Sequence, residues 1–126
     1  MSSSRDLLYL THIVETVELV RSSGADSAAL LDEDATLRDA TLYRLQTLSE
    51  SASLLSNALK ERHPEIPWVA ISGFRNRLVH GYTNVRTERV CEVVENYLAP
   101  LHDVAQAELR ALQRSRERNS GLDIGF

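Results

Sequence analysis

The sequence predicts an all-α fold, an antiparallel bundle of four to five helices, and three observations predict it. Apolar residues recur at three-and-four spacing along most of the chain, alternating runs and Asn-Gly or Asp-Gly hairpins are absent, and Pro and Gly stand where the periodic segments stop. At 126 residues the chain is one domain by size, able to bury about two thirds of the surface it exposes unfolded. Residues 1–114 are expected to form the bundle and residues 115–126, which mix charge with two glycines and show no period, a flexible tail.

The first helix is expected over residues 6–22, where Leu7, Leu10, Ile13, Val14, Val17 and Val20 form one apolar stripe and Ser23-Gly24 closes it. After an extra turn at 28–31, a long second helix over 34–62 carries the stripe Leu37, Thr41, Leu45, Leu48, Ala52, Leu55, Leu59. Arg44 lies within about 40° of that stripe and Glu50 nearly opposite, so Glu50 points elsewhere. Pro64 and Pro67 bracket the turn that ends it. The third helix, 67–80, starts on Pro67 and stops at Gly81. The fourth, 87–114, has the clearest period: Val90, Val93, Val94, Tyr97, Leu98, Leu101, Val104, Ala105, Leu112. Pro100 in its middle should kink or break it.

Composition narrows the functional classes. No apolar run approaches the roughly 20 residues that span a bilayer, and Met1 to Asp6 lack the basic-then-apolar order of a secretory signal, so a soluble cytoplasmic protein with no membrane partner is expected. Cys91 alone can form neither an intrachain disulfide nor a cysteine-based zinc site, and reads as a small core residue. A net charge of -4 argues against indiscriminate coating of nucleic acid, and no DNA partner is expected. The basic charge is local: between Phe74 and Arg89 stand Arg75, Arg77, Arg86 and Arg89 against Glu88 alone.

That stretch also holds the residues best suited to chemistry. Arg75-Asn76-Arg77-Leu78-Val79-His80-Gly81-Tyr82 puts a permanent cation, an amide, an imidazole and a phenol at one helix end. The guanidinium fork matches phosphate oxygens and His titrates near neutrality, a pairing suited to phosphodiester cleavage. On a continuous helix Asn76 and His80, four apart, share a face, whereas Arg75 and His80, five apart, diverge by about 140°. Either the helix ends early and His80 turns, or a second copy brings its own Arg and His across a two-fold axis. The same residues also suit a purely structural role, since Arg, Asn and His at a helix C-terminus can bind its last carbonyls.

Other constellations are thinner. His12 and Glu15 could form the edge of a metal site but lack a third ligand, Glu88, Glu92 and Glu95 read as a solvated acidic face, and His63 and His102 as surface or loop histidines. The five glycines are scattered, so no phosphate-cradling loop is present.

Three blocks together, Arg44 to Ala52 (RLQTLSESA), His63-Pro64-Glu65-Ile66-Pro67-Trp68 and Arg75 to Tyr82, resemble the HepT-like family of HEPN ribonucleases in order and spacing, over about residues 6–104. The resemblance implies a homodimeric toxin, or a protein derived from one, that cleaves RNA without metal or other cofactor. By that resemblance the catalytic residues are Arg75, Asn76 and His80, in a cleft shared by two subunits. Its usual partner is a minimal nucleotidyltransferase antitoxin, which in related pairs transfers AMP to the tyrosine matched here by Tyr82. Glu50, which matches the family's acidic residue, and Arg77 are expected in supporting roles, Glu50 by orienting Arg75. Family members commonly carry Gly where this chain has Ser49, so local packing should differ there. The alternative reading is a non-catalytic subunit that presents a substrate or itself to a nucleotidyltransferase, with Arg75, Arg77 and Tyr82 as a docking surface and His80 structural.

Overall fold

The computed structural model describes the backbone of residues 2–81 and 84–124 and the side-chain surroundings of 5–81 and 84–118. Within them the chain is helical and without strands, in seven segments: α1 (Ser2–Ser22), α2 (Ala28–Glu33), α3 (Ala35–Leu54), α4 (Asn57–Arg62), α5 (Trp68–His80), α6 (Thr87–Asn96) and α7 (Leu98–Ile124). α3 packs between α1 and α5, and α7 lies against α1. Asp6 pairs with Ser56 and His12 with Ser51, so positions rise along α1 as they fall along the α3 side, and the two run antiparallel.

The apolar stripes read from the sequence form the core. Leu10, Ile13, Val17 and Val20 of α1 meet Leu45, Leu48 and Ala52 of α3, Leu78 of α5, Val90 and Val94 of α6, and Leu98, Leu101 and Ala105 of α7, all buried. Cys91 is buried as expected, and burial, with Glu95 and other acids nearby, pushes its thiol up from the ordinary range. Gly24 after α1 has φ +85°, a left-handed conformation that glycine takes without steric cost. Asp34 ends α2 and starts α3, its carboxylate accepting the Leu37 N–H at 3.0 Å.

The structure has more helices than the expected four to five, because one expected helix is broken where the sequence carries no sign of it and another is broken as Pro100 leads one to expect. The expected 34–62 helix is broken at Leu55-Ser56. Asp6 of α1 accepts hydrogen bonds from the Ser56 N–H (2.8 Å) and Oγ–H (2.7 Å), while Ser56 Oγ caps the Leu59 N–H, so a contact from 50 residues upstream starts a new helix within an unbroken apolar period. The expected 87–114 helix is divided at Tyr97 into α6 and α7, as Pro100 requires: its ring then falls in the first turn of α7, where no intrahelical N–H is missing. Tyr97, at that division, is 38% exposed and leaves the core stripe. Helical backbone in α7 continues to Ile124, past the end at 114 that the pattern suggested.

Candidate active site

α5 is anchored at its start and open at its end. At the start, Trp68 Nε1 donates to the carbonyls of His63 (2.9 Å) and Lys60 (3.1 Å), fixing the His63–Trp68 block beneath the first turn. Ser53 of α3 and Ser72 of α5 share a hydrogen bond of 2.8 Å. Phe74 and Leu78 are buried, which sets the rotation of the helix and sends Asn76, Arg77 and His80 outward. Gly81 ends it: its N–H donates to the Arg77 carbonyl at 2.7 Å, and a Cβ at Gly81 would come 3.3 Å from that same oxygen.

Asn76 and His80 thus stand exposed on one face, as their spacing predicts, and Arg75 does not join them. Arg75 is half-buried, and its Nε lies out of solvent without a hydrogen-bond partner. A buried donor left unpaired costs roughly 1–3 kcal/mol, so this guanidinium is held where an acceptor would be gained rather than exchanged. Glu50 is exposed on α3, and among the described residues neither a hydrogen bond nor an ion pair joins it to Arg75. Within the single chain the expected orienting contact is not made. Tyr82, the expected modification site, lies outside the described residues.

Arg77 and His80 border an open cavity of about 260 Å³ with Gly81, Asn84 and Val85. Sequence reasoning missed Asn84. It lies beyond the motif and is brought to it by its N–H, which donates to the Gly81 carbonyl at 2.9 Å. A second space, an apolar void of about 40 Å³ among Leu45, Leu48, Ile71, Phe74, Val93 and Leu101, has Arg89 and Tyr97 among its walls. The Arg89 guanidinium lies over the Tyr97 ring, 5.9 Å from its centre, and pairs with Glu92.

The other histidines have structural partners. His12 Nδ1 meets Ser51 Oγ at 2.8 Å and ties α1 to α3. His63 lies in the loop between α4 and α5, as the sequence suggested, but is mostly covered, whereas His102 lies within α7 and is neither a loop nor a fully exposed histidine. Their side chains are 20% and 14% exposed; His63 lies 2.6 Å from Glu108 and 3.4 Å from Glu65, and His102 lies 3.0 Å from Glu18. Arg62 also reaches Glu108, at 2.8 Å, and that contact, helped by His63, holds the Glu108 carboxyl below the usual range against the opposing effect of burial. Of the acidic series on α6, Glu88 lies 3.5 Å from Arg86, and the exposed Glu92 meets Arg89.

Compared with known proteins, residues 10–108 match the family model described as "Ribonuclease HepT-like". The chain is 29% identical over 87 residues to a protein of Caldanaerobacter subterraneus subsp. tengcongensis that carries an RNase name, the match covering 68% of this chain and 78% of that one. It is 27% identical over 96 residues to a protein of Thermococcus cleftensis named as a probable ribonuclease HepT, covering 74% of this chain and 86% of that one. No solved structure matches.

Proposed function

The chain belongs to the HepT-like ribonuclease family, and from that premise we propose that it is a toxin-type endoribonuclease whose active site is completed by a second copy of itself. The observation that carries this reading is the state of the α5 end: Asn76 and His80 exposed together, and Arg75 turned aside with an unpartnered Nε. One copy offers half of a phosphodiester-cleaving site. Exposed Val69, Val79 and Leu54 on α5 and α3 supply apolar surface for the second copy to cover.

In the shared cleft His80 takes the proton of a ribose 2′-hydroxyl, and the 2′-oxygen attacks the adjacent phosphorus. The bond to the 5′-oxygen breaks, that oxygen takes a proton from His80 of the partner subunit, and a 2′,3′-cyclic phosphate remains. Arg75 stabilises the charge on the phosphorane-like transition state and Asn76 positions a phosphate oxygen. No step calls for a metal or other cofactor. The chain is the toxin of a pair whose antitoxin is a minimal nucleotidyltransferase, and transfer of AMP to Tyr82 is its off-switch, because a bulky anion beside the cleft repels RNA phosphates.

His80→Ala tests the chemistry. The variant should lose both growth arrest and RNA cleavage, by about 10²–10⁴-fold in rate, and a purified variant that cuts as fast as the parent overturns the assignment. Sedimentation tests the shared cleft separately: a fully active monomer at micromolar concentration contradicts it. Intact mass after co-expression with the nucleotidyltransferase should rise in steps of one AMP, and a Tyr82→Phe variant should not shift.

A further inference from the structure

We infer that the cavity bordered by Arg77, His80, Asn84 and Val85 is a nucleobase subsite, and that Asn84 selects which base occupies it. This rests on the ribonuclease reading and deepens it, by naming where the nucleotide on the 5′ side of the cut is held.

Size is the first argument. About 260 Å³ is smaller than the roughly 300–1,000 Å³ of pockets that enclose drug-sized ligands, and it is open, so it takes one planar group with the rest of the ligand outside. Chemistry is the second. Val85 is half-buried against the core and gives a fixed apolar wall for a ring face. The Asn84 amide offers both donors and an acceptor, which is what the hydrogen-bonding edge of an unstacked base requires. Arg77, exposed and bordering the same cavity, supplies a cation for a flanking phosphate.

The third argument separates a base from a second anion. The cavity lies at the C-terminal end of α5, where the helix dipole is negative and the last carbonyls lack intrahelical donors. Such a place disfavours a phosphate inside the cavity and favours a group carrying N–H donors. Adenine, guanine and cytosine present an exocyclic amino group with two N–H donors there, whereas uracil presents a single N3–H between two carbonyl oxygens, which the negative helix end disfavours. Asn84 is held for this by two backbone hydrogen bonds in series, Asn84 N–H to Gly81 O and Gly81 N–H to Arg77 O, which fix it relative to the turn that carries His80.

Two measurements test it. Nucleoside 3′-monophosphates are titrated into the isotope-labelled parent while the Asn84 side-chain amide is followed by NMR. The amino-bearing bases should shift it and bind at least threefold tighter than uridine 3′-monophosphate. Inorganic phosphate should not reproduce the shift, and Asn84→Ala, at an exposed position that leaves the core intact, should lose the preference. Cleavage of an RNA pool containing all dinucleotide steps should then show discrimination at the 5′ base that falls by about 5–100-fold in Asn84→Ala. Equal binding of all four nucleotides, the same shift with phosphate alone, or an unchanged cleavage pattern in the variant overturns the subsite. Base-selective binding by a parent that cuts no RNA overturns the ribonuclease reading and leaves the subsite standing. Cleavage without base-selective binding does the reverse.

Discussion

At its Trp68 end α5 is tied down by polar groups that have found partners, and at its His80 end it carries polar groups that, among the described residues, have found none. Trp68 Nε1 is bonded to two carbonyls, and the Arg62 and His63 side chains just before it converge on Glu108 of α7. Twelve residues along the same helix, His80 is exposed, and the Nε of Arg75, five residues before it, is buried and unmatched. The first end is arranged as structure is arranged, with desolvated groups compensated. At the second end, binding capacity is left over after folding, which is what the proposed site, engaging RNA and a second protomer, would require. A large fall in stability from the first end and a large fall in activity from the second would sharpen the contrast; crossed effects would break it.

The largest stability effect is expected from Trp68→Ala. It removes the indole from beneath α5 and leaves the Lys60 and His63 carbonyls without that donor, at a cost of about 3 kcal/mol. For a chain of this size the thermal midpoint should fall by roughly 10 °C, whereas the exposed His80→Ala should move it by less than about 2 °C. Equal shifts for the two variants, measured by circular dichroism melting, would break the division between anchored and open ends.

Asp6→Ala comes next. Asp6 is only 6% exposed, and its carboxylate accepts both hydrogen bonds that start α4, so the alanine variant strands the Ser56 N–H and should lose about 2 kcal/mol. Because α4 leads directly into the His63–Trp68 block, amide exchange at Leu59 and Lys60 should accelerate more than exchange at Leu78. Uniform acceleration along the chain would mean that Asp6 contributes to global stability and does not specifically define α4.

These contacts also explain what could be read from sequence. The helices and core were legible because a 3.6-residue period needs no knowledge of the partner: Leu10, Leu45, Leu78 and Leu101 announce their burial locally. Pro100 announced the α6–α7 division for the same reason, its defect being its own ring. The Leu55-Ser56 break was not legible, since its cause is Asp6, 50 residues away. Nor were the roles of His63 and His102, whose partners Glu108 and Glu18 lie 45 and 84 positions distant. At the site, the shared face of Asn76 and His80 followed from spacing and Asn84 did not, because only a backbone hydrogen bond across a turn brings it to the motif.

The smallest expected effect concerns the Arg62–His63–Glu108 junction and its dependence on pH. The hydrogen bond from Arg62, reinforced by His63, holds the folded Glu108 carboxyl below the value near 4.3 that it would have in the unfolded chain. A depressed folded value means that the unfolded state binds the proton more readily. The stabilisation is therefore fully present above the unfolded value and is lost as pH falls through the folded one. Arg62 is 55% exposed, so solvent screening limits the contribution to about 1 kcal/mol. Glu108→Gln should accordingly melt a few degrees below the parent at pH 7, and the gap should close as the pH is lowered below about 4. A gap that stays constant down to pH 3 would assign the loss to altered packing and not to the charge. Cleavage by Glu108→Gln at pH 7, measured well below its melting temperature, should stay within about twofold of the parent, because this junction secures the end of α5 that holds no proposed catalytic group. A drop as deep as that of His80→Ala would show that the two ends are coupled through the helix and that the open end depends on the anchored one for more than its position.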